Sequence, residues 1–220
     1  MVFPTDYDIN KEIPSTVAEI DFSTPLEGTG SLRTHLTTIP PMFERLSIHN
    51  NTYSTGLTVG RMRAVVQIDV AVSSSPMFVG FSCMQNSPTV HQVTDEGYQV
   101  GVTIGAGFTP TNLIIGKYGN GLTSTPTLLS SSPTTVLAGI PFVLQMDWIT
   151  TVLVSGVRLR SYIGLATTDF NDLTLIGEVD DMTFPYTTSV AESLVAGTFE
   201  TSVSHDLDVK WDLLSIFSLV

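Results

Sequence analysis

Ile140-Pro-Phe-Val-Leu-Gln-Met-Asp-Trp148 is the stretch that decides the fold. Its apolar side chains Ile140, Phe142, Leu144, Met146 and Trp148 recur at every second position, and Gln145 and Asp147 take places between them. A period of two puts alternate residues on opposite faces of a strand, one face buried and the other wet. The same beat spreads outward along the chain. Val157-Arg-Leu-Arg-Ser-Tyr-Ile163, Leu173-Thr-Leu-Ile-Gly-Glu-Val179 and Leu207-Asp-Val-Lys-Trp-Asp-Leu213 follow it, each bounded by turn residues. Upstream, Arg61 to Val72 is the longest alternation: Met62, Ala64, Val66, Ile68, Val70 and Val72 face in, Arg61, Arg63, Gln67 and Asp69 out. Phe78–Met84, Tyr98–Ile104 and Asn112–Tyr118 are further strands, with shorter ones at Glu19–Phe22, Phe43–His49 and Leu194–Val203, where Val195, Phe199 and Val203 share a face. No helical period runs beyond about two turns. The pattern specifies an all-β chain of two packed antiparallel sheets.

The 220 residues fit one large sandwich, and 42% apolar against 14% charged residues supply a core. Seventeen Gly and twelve Pro are spread along the chain, as many turns require. Residues 1–18 are polar, broken by Pro4 and Pro14, and read as an extended N-terminal arm able to strap onto a neighbouring subunit; residues 19–220 read as a single β-sandwich domain. The Gly-, Thr- and Pro-rich stretch up to Pro41 and the Ser/Thr/Pro-rich stretch Thr123–Thr135 read as loops.

Nine basic and 21 acidic residues leave a net charge of −12, which argues against nucleic-acid binding, since phosphates call for a basic stripe. The single cysteine, Cys83, rules out an intrachain disulfide and alternates with Val79 and Phe81, as a buried small hydrophobe would. The N-terminus has no basic segment followed by an apolar one, and no run of 18 apolar residues occurs. Neither a signal peptide nor a membrane span is expected.

From Glu19 onward the order of strands resembles the concanavalin A-like lectin/glucanase jelly roll, including its laminin-G-like members. The residues carrying the resemblance are Ile20-Asp21-Phe22, the long pair Arg61–Val72 and Phe78–Met84, the Phe142–Trp148 strand, Arg158-Leu-Arg-Ser-Tyr162, and the closing Asp208-Val-Lys-Trp-Asp-Leu-Leu-Ser-Ile216. The resemblance implies that the last strand returns beside the first. Ser/Thr-rich strands, one Cys, acidity and a leading arm also resemble structural proteins of tailed-bacteriophage particles, where such sandwiches serve as capsid decorations and tail or fibre components. That likeness implies a non-enzymatic virion protein, made in the host cytoplasm, whose partners are other virion proteins and copies of itself. A lectin-like module recognising cell-surface glycans is the alternative.

Catalytic candidates are few. Glu178-Val-Asp180 invites comparison with the Glu-x-Asp-x-x-Glu strand of the glucanases of this fold, whose alternate carboxylates share one groove. Thr183 stands where the second Glu should be, so no hydrolase is expected. Asp169-Phe-Asn-Asp172 offers oxygen ligands for Ca²⁺ but equally the pattern of an Asx turn, and the four His are scattered without ligand spacing; no metal or other cofactor is assigned. The polar faces are more informative. Arg61/Arg63 and Arg158/Arg160 form two Arg-x-Arg pairs, each on one side of its strand, with carboxylates such as Asp147, Glu178, Asp180 and Asp208 on outward positions of other strands. Such rows can be plain ladders of cross-strand ion pairs. They can also form a concave groove in which Arg61, Arg63, Arg158, Arg160, Gln145, Asp147 and Tyr162 meet a glycan or a neighbouring subunit. Tyr118, framed by Gly116 and Gly119, is expected at a hairpin tip where a sugar ring could stack.

Overall fold

The computed structural model describes residues 7–11, 17–21, 26, 31–37, 45–50, 57–86, 96–109, 111–119, 127–151, 156–183, 185–187, 191–198 and 205–219. Among them are the strands β1 (Tyr7–Lys11), β2 (Val17–Asp21), β3 (Ser31–Thr37), β4 (Arg45–Asn50), β5 (Val59–Ser73), β6 (Met77–Gln85) and β7 (Gly97–Ile104). They continue with β8 (Thr111–Tyr118), β9 (Thr127–Pro133), β10 (Phe142–Thr151), β11 (Gly156–Leu165), β12 (Thr174–Asp181), β13 (Ala191–Thr198) and β14 (His205–Ser218). Two seven-stranded sheets result: sheet I in the order β1-β4-β13-β6-β7-β8-β9, and sheet II in the order β12-β11-β10-β5-β14-β3-β2. Every pairing is antiparallel.

The expected alternation packs the space between the sheets. Leu144, Met146 and Trp148 of sheet II, with Met62, Ala64 and Val66 beside them, meet Val79, Phe81 and Val100 of sheet I. Ile140, grouped with this row in the sequence, lies before the strand and is half exposed. Trp148 is fully buried and donates its indole N–H to the Leu57 carbonyl at 2.6 Å. Gly60 lies directly across from it, and a Cβ there would stand 2.5 Å from the ring, so the indole needs that glycine. Cys83 is buried in this core, and burial first, then the charge of Glu192, pushes its thiol well above the ordinary range. The thiol is an apolar filler.

At one edge the sheets are tied by polar bonds. Lys117 of β8 donates to Asp181 Oδ2 of β12 at 2.7 Å and to the Thr183 carbonyl at 2.9 Å. The buried Tyr98 hydroxyl donates to the same Asp181 oxygen at 2.7 Å. Burial raises the Asp181 pKa, but the hydrogen bonds from Lys117, Tyr98 and the Thr183 N–H outweigh it and hold the carboxyl below the ordinary aspartate range.

Four expectations change. Ser31–Thr37 and Thr127–Pro133, read as loops, are strands: β3 is an inner strand and β9 an edge strand. The Ser/Thr side chains of β9 are tolerated because an edge strand need not bury either face, and Pro133 closes it where no donor is required. In β5 a register shift between Asp208 and Val209 of β14 leaves Asp69 unpaired, and the faces invert after it. Ala71 therefore points inward and Val72 is 63% exposed. Within the stretch read as an arm, Tyr7–Lys11 pairs with β4 of its own chain. Finally, β14 lies between β5 and β3, one strand removed from β2. Phe199 and Val203 fall outside the described residues.

Candidate functional site: the outer face of sheet II

The residues singled out from the sequence gather on the outer face of β5, β10, β11 and β12. Registers fix their neighbours: Gln145 stands between Arg63 and Tyr162, and Asp147 between Arg61 and Arg160. Arg158 and Arg160 lie opposite Asp180 and Glu178 of β12. Seven of the eight candidates thus share one face.

Their chemical states differ. Arg158 donates from Nε and Nη2 to the two Asp180 oxygens at 2.7 and 2.8 Å, and Arg160 donates from Nε to Glu178. Both pairs are solvent-facing, each side chain between 31% and 44% exposed. The Arg158 bond, then its charge, holds the Asp180 carboxyl below its ordinary range. This end of the face is a ladder of ion pairs, and it engages the carboxylates that resembled a glucanase motif.

Further in, Arg61 donates from Nε and Nη2 to Asp147 Oδ1 and Oδ2, both at 2.6 Å. Asp147 is 2% exposed although it points outward, and Gln145 beside it is equally buried. The Gln145 amide nitrogen donates to Asp147 Oδ1 at 3.3 Å, which leaves its carbonyl oxygen buried without a partner. Such an orphaned acceptor costs about 1–3 kcal/mol. Burial, then the Asp147 charge, raises the Tyr162 phenol above its usual range.

Arg63 is the exception. No carboxylate among the described residues binds it, and among them its Nε is buried without a partner. Its guanidinium carbon lies 4.2 Å from the Phe170 ring centroid and 5.3 Å from that of Phe217. Phe170 comes from the segment between β11 and β12, and Phe217 from the end of β14, opposite Arg61. Burial first, then the charge of Arg61, pushes the Arg63 pKa down, and the charge of Asp169 offsets this only in part. Neither phenylalanine was picked out from the sequence. Phe170 sat inside a segment chosen for its acids, and Phe217 follows the closing run Leu207–Leu213, where simple alternation with Val209 and Trp211 would turn it inward; the register shift between Asp212 and Ser215 turns it out instead.

Tyr118 is corrected. It belongs to sheet I, is 2% exposed, and shares a 2.8 Å hydroxyl–hydroxyl hydrogen bond with Ser82. Its ring packs with Phe78, Ile114 and Val195 on the outer side of sheet I and passes over Gly97, where a Cβ would stand 2.5 Å from the hydroxyl. No ring is presented there for a sugar. In Asp169–Asp172, Asp169 Oδ1 accepts from the Asn171 N–H at 2.9 Å, an Asx turn. No cluster of potential metal ligands occurs among the described residues.

No protein-family profile matches the chain, and no curated protein matches it in sequence. Solved structures do match. An endo-β-1,4-glucuronan lyase from the fungus Trichoderma reesei superposes with a TM-score of 0.63 at 12% identity, over 96% of this chain and 90% of that one. A legume lectin-like domain from Entamoeba histolytica gives 0.55 at 11%, over 98% and 91%. The exoplasmic/lumenal domain of VIP36, in a form bound to Ca²⁺ and Man3GlcNAc, gives 0.54 at 13%, over 97% and 84%. The fold is the concanavalin A-like sandwich. At these identities the likeness is one of fold, and the site must speak for function. These neighbours are a legume lectin-like domain, a domain with a glycan bound and a glucuronan lyase; they lend no support to a phage setting.

Proposed function

We propose that the chain is a lectin-like carbohydrate-binding protein whose ligand lies on the outer face of sheet II. The observation that carries this is the pair of unmet polar groups at its centre, the Arg63 guanidinium and the Gln145 carbonyl oxygen on directly opposed residues. An acidic sugar supplies what the partly exposed Arg63 lacks, a carboxylate that accepts from its guanidinium, above the buried Gln145 oxygen. Phe170 and Phe217 hold the guanidinium in place, and the partly exposed Tyr162 lies on β11 across from Gln145. The acidic class follows from Arg63 alone, because Arg61, Arg158 and Arg160 each hold a carboxylate already.

The fold neighbours support this reading over a particle-building one, since one is a legume lectin-like domain, one is a domain with Man3GlcNAc bound and the third is a glucuronan lyase. A virion location and docking between copies rest on composition alone. Binding without turnover is the proposed mode, because the Glu178 and Asp180 carboxylates are engaged by arginines. The test is titration of the purified chain with oligoglucuronates and with neutral oligosaccharides of equal length. Binding of the acidic series that Arg63→Ala weakens at least tenfold is expected. Absence of acidic-glycan binding, or binding indifferent to Arg63, overturns the site; release of an unsaturated uronate would overturn the non-enzymatic part only.

A further inference from the structure

A second site lies elsewhere on the sandwich, where β10 begins, β11 ends and β12 starts. An open cleft of about 340 Å³ occupies this corner, between the end of sheet II and the chain leaving β9 of sheet I. That is the lower end of the usual range of about 300–1,000 Å³ for ligand pockets, room for one ring and not for a chain.

Its lining divides by chemistry. Phe142, Ile163 and Leu165 make an apolar wall, and Leu165 is 65% exposed, a large hydrophobic left to solvent. The rest of the lining includes the polar residues Thr134, Thr135, Thr168, Thr174 and Asp172. The structure gives these five side chains no protein hydrogen bond among the described residues. The backbone beneath them is fixed. The Thr134 N–H donates to the Thr111 carbonyl at 3.1 Å, Thr168 N–H to the Leu165 carbonyl at 2.8 Å, and Asp172 N–H to the Asp169 carbonyl at 2.8 Å. Free oxygens on an immobilised frame, together with an apolar wall, make a pre-organised site.

We propose that this cleft binds a single neutral sugar ring. A pyranose has the matching division, with an apolar C–H face for Phe142, Ile163 and Leu165 and an edge of hydroxyls for the threonines and Asp172. Asp172 is the one charged residue among those lining the cleft, so it accepts from ring hydroxyls and repels a carboxylated sugar. The cleft and the Arg63 face therefore select opposite ligands. They lie on either side of one connection: residues 166–173 supply Thr168 and Asp172 to the cleft and Phe170 to Arg63. The inference does not rest on the arginine face, because the two sites share no residue.

The test is a titration of the full chain, followed by NMR, with the methyl glycosides of glucose, galactose and mannose and with glucuronate as the acidic control. At least one neutral glycoside is expected to bind, with affinity at least fivefold weaker in Thr174→Val and in Asp172→Asn. Both substituted side chains are exposed, and far-UV circular dichroism confirms that each variant keeps the fold. The proposal is overturned if no neutral glycoside binds at tens of millimolar, if glucuronate competes equally at the cleft, or if both folded variants bind as the parent does.

Discussion

Two strands of this protein carry the same three-residue pattern, Arg61-Met-Arg63 on β5 and Arg158-Leu-Arg160 on β11, and the fold puts them to different uses. On β11, next to the edge strand, each arginine finds a carboxylate on β12 and both pairs stay in water. On β5, the central strand of its sheet, Arg61 is tied to a carboxylate that is 2% exposed, and Arg63 has two aromatic rings and, among the described residues, no hydrogen-bonded carboxylate. The lesson is that charge pattern alone does not distinguish a surface ladder from a binding face. Position in the sheet does, because a central strand has neighbours and covering segments on both sides to desolvate its outward residues.

The sharpest way to break this contrast is Asp147→Ala. It leaves Arg61 without its buried partner, and because Arg61 keeps 27% exposure the cost should be about 2–3 kcal/mol, below that of a fully buried pair. Urea unfolding measures it; a loss no larger than that for Glu178→Ala would put both strands in one class. Next comes Arg63→Ala, which should leave the unfolding midpoint nearly unchanged while lowering acidic-glycan affinity at least tenfold, a coupling of about 1.4 kcal/mol. A large stability loss with intact binding would make Arg63 a packing residue. Smaller still is the double change Arg158→Ser and Arg160→Ser. It should leave glycan binding within twofold of the parent by calorimetry, since both side chains are spent on β12. A tenfold loss would extend the binding face to the sheet edge.

Much of the architecture was legible because inward alternation is enforced by burial: Leu144, Met146 and Trp148 could sit on one face only. What escaped detection was local. The bulge at Asp69 reverses Val70 and Val72, and nothing in an alternating string of valines marks where a residue drops out of register. Tyr118 lay next to a glycine and looked exposed, yet the outer side of sheet I buries it against Phe78. The seven sheet II candidates came out on one face because period two and registry suffice for that. The division of labour among them did not, since Phe170 and Phe217 reach Arg63 from segments about 107 and 154 positions along the chain, and contacts across such separations leave no local sequence signature.

The smallest expected effect probes the exposed end of the contrast through pH and salt. Asp180 has its carboxyl held below the ordinary range by Arg158, so its native pKa lies under its unfolded one. A depressed carboxylate stabilises the native state above the unfolded value of about 3.9, and that contribution is lost as pH falls through the native value. The deficit of Asp180→Asn should therefore be measurable at pH 7 in low salt, begin to shrink only as the pH drops below about 4, and vanish once the pH is below the native value. Because the pair faces solvent, it should also shrink in 1 M salt, where the screening length is about 3 Å. Asp147→Asn should keep its deficit in the same salt, because a carboxylate 2% exposed is shielded from mobile ions by the residues above it. Equal salt sensitivity in the two variants would mean that water and ions reach Asp147 as freely as Asp180, and the two arginine pairs would then differ in geometry alone.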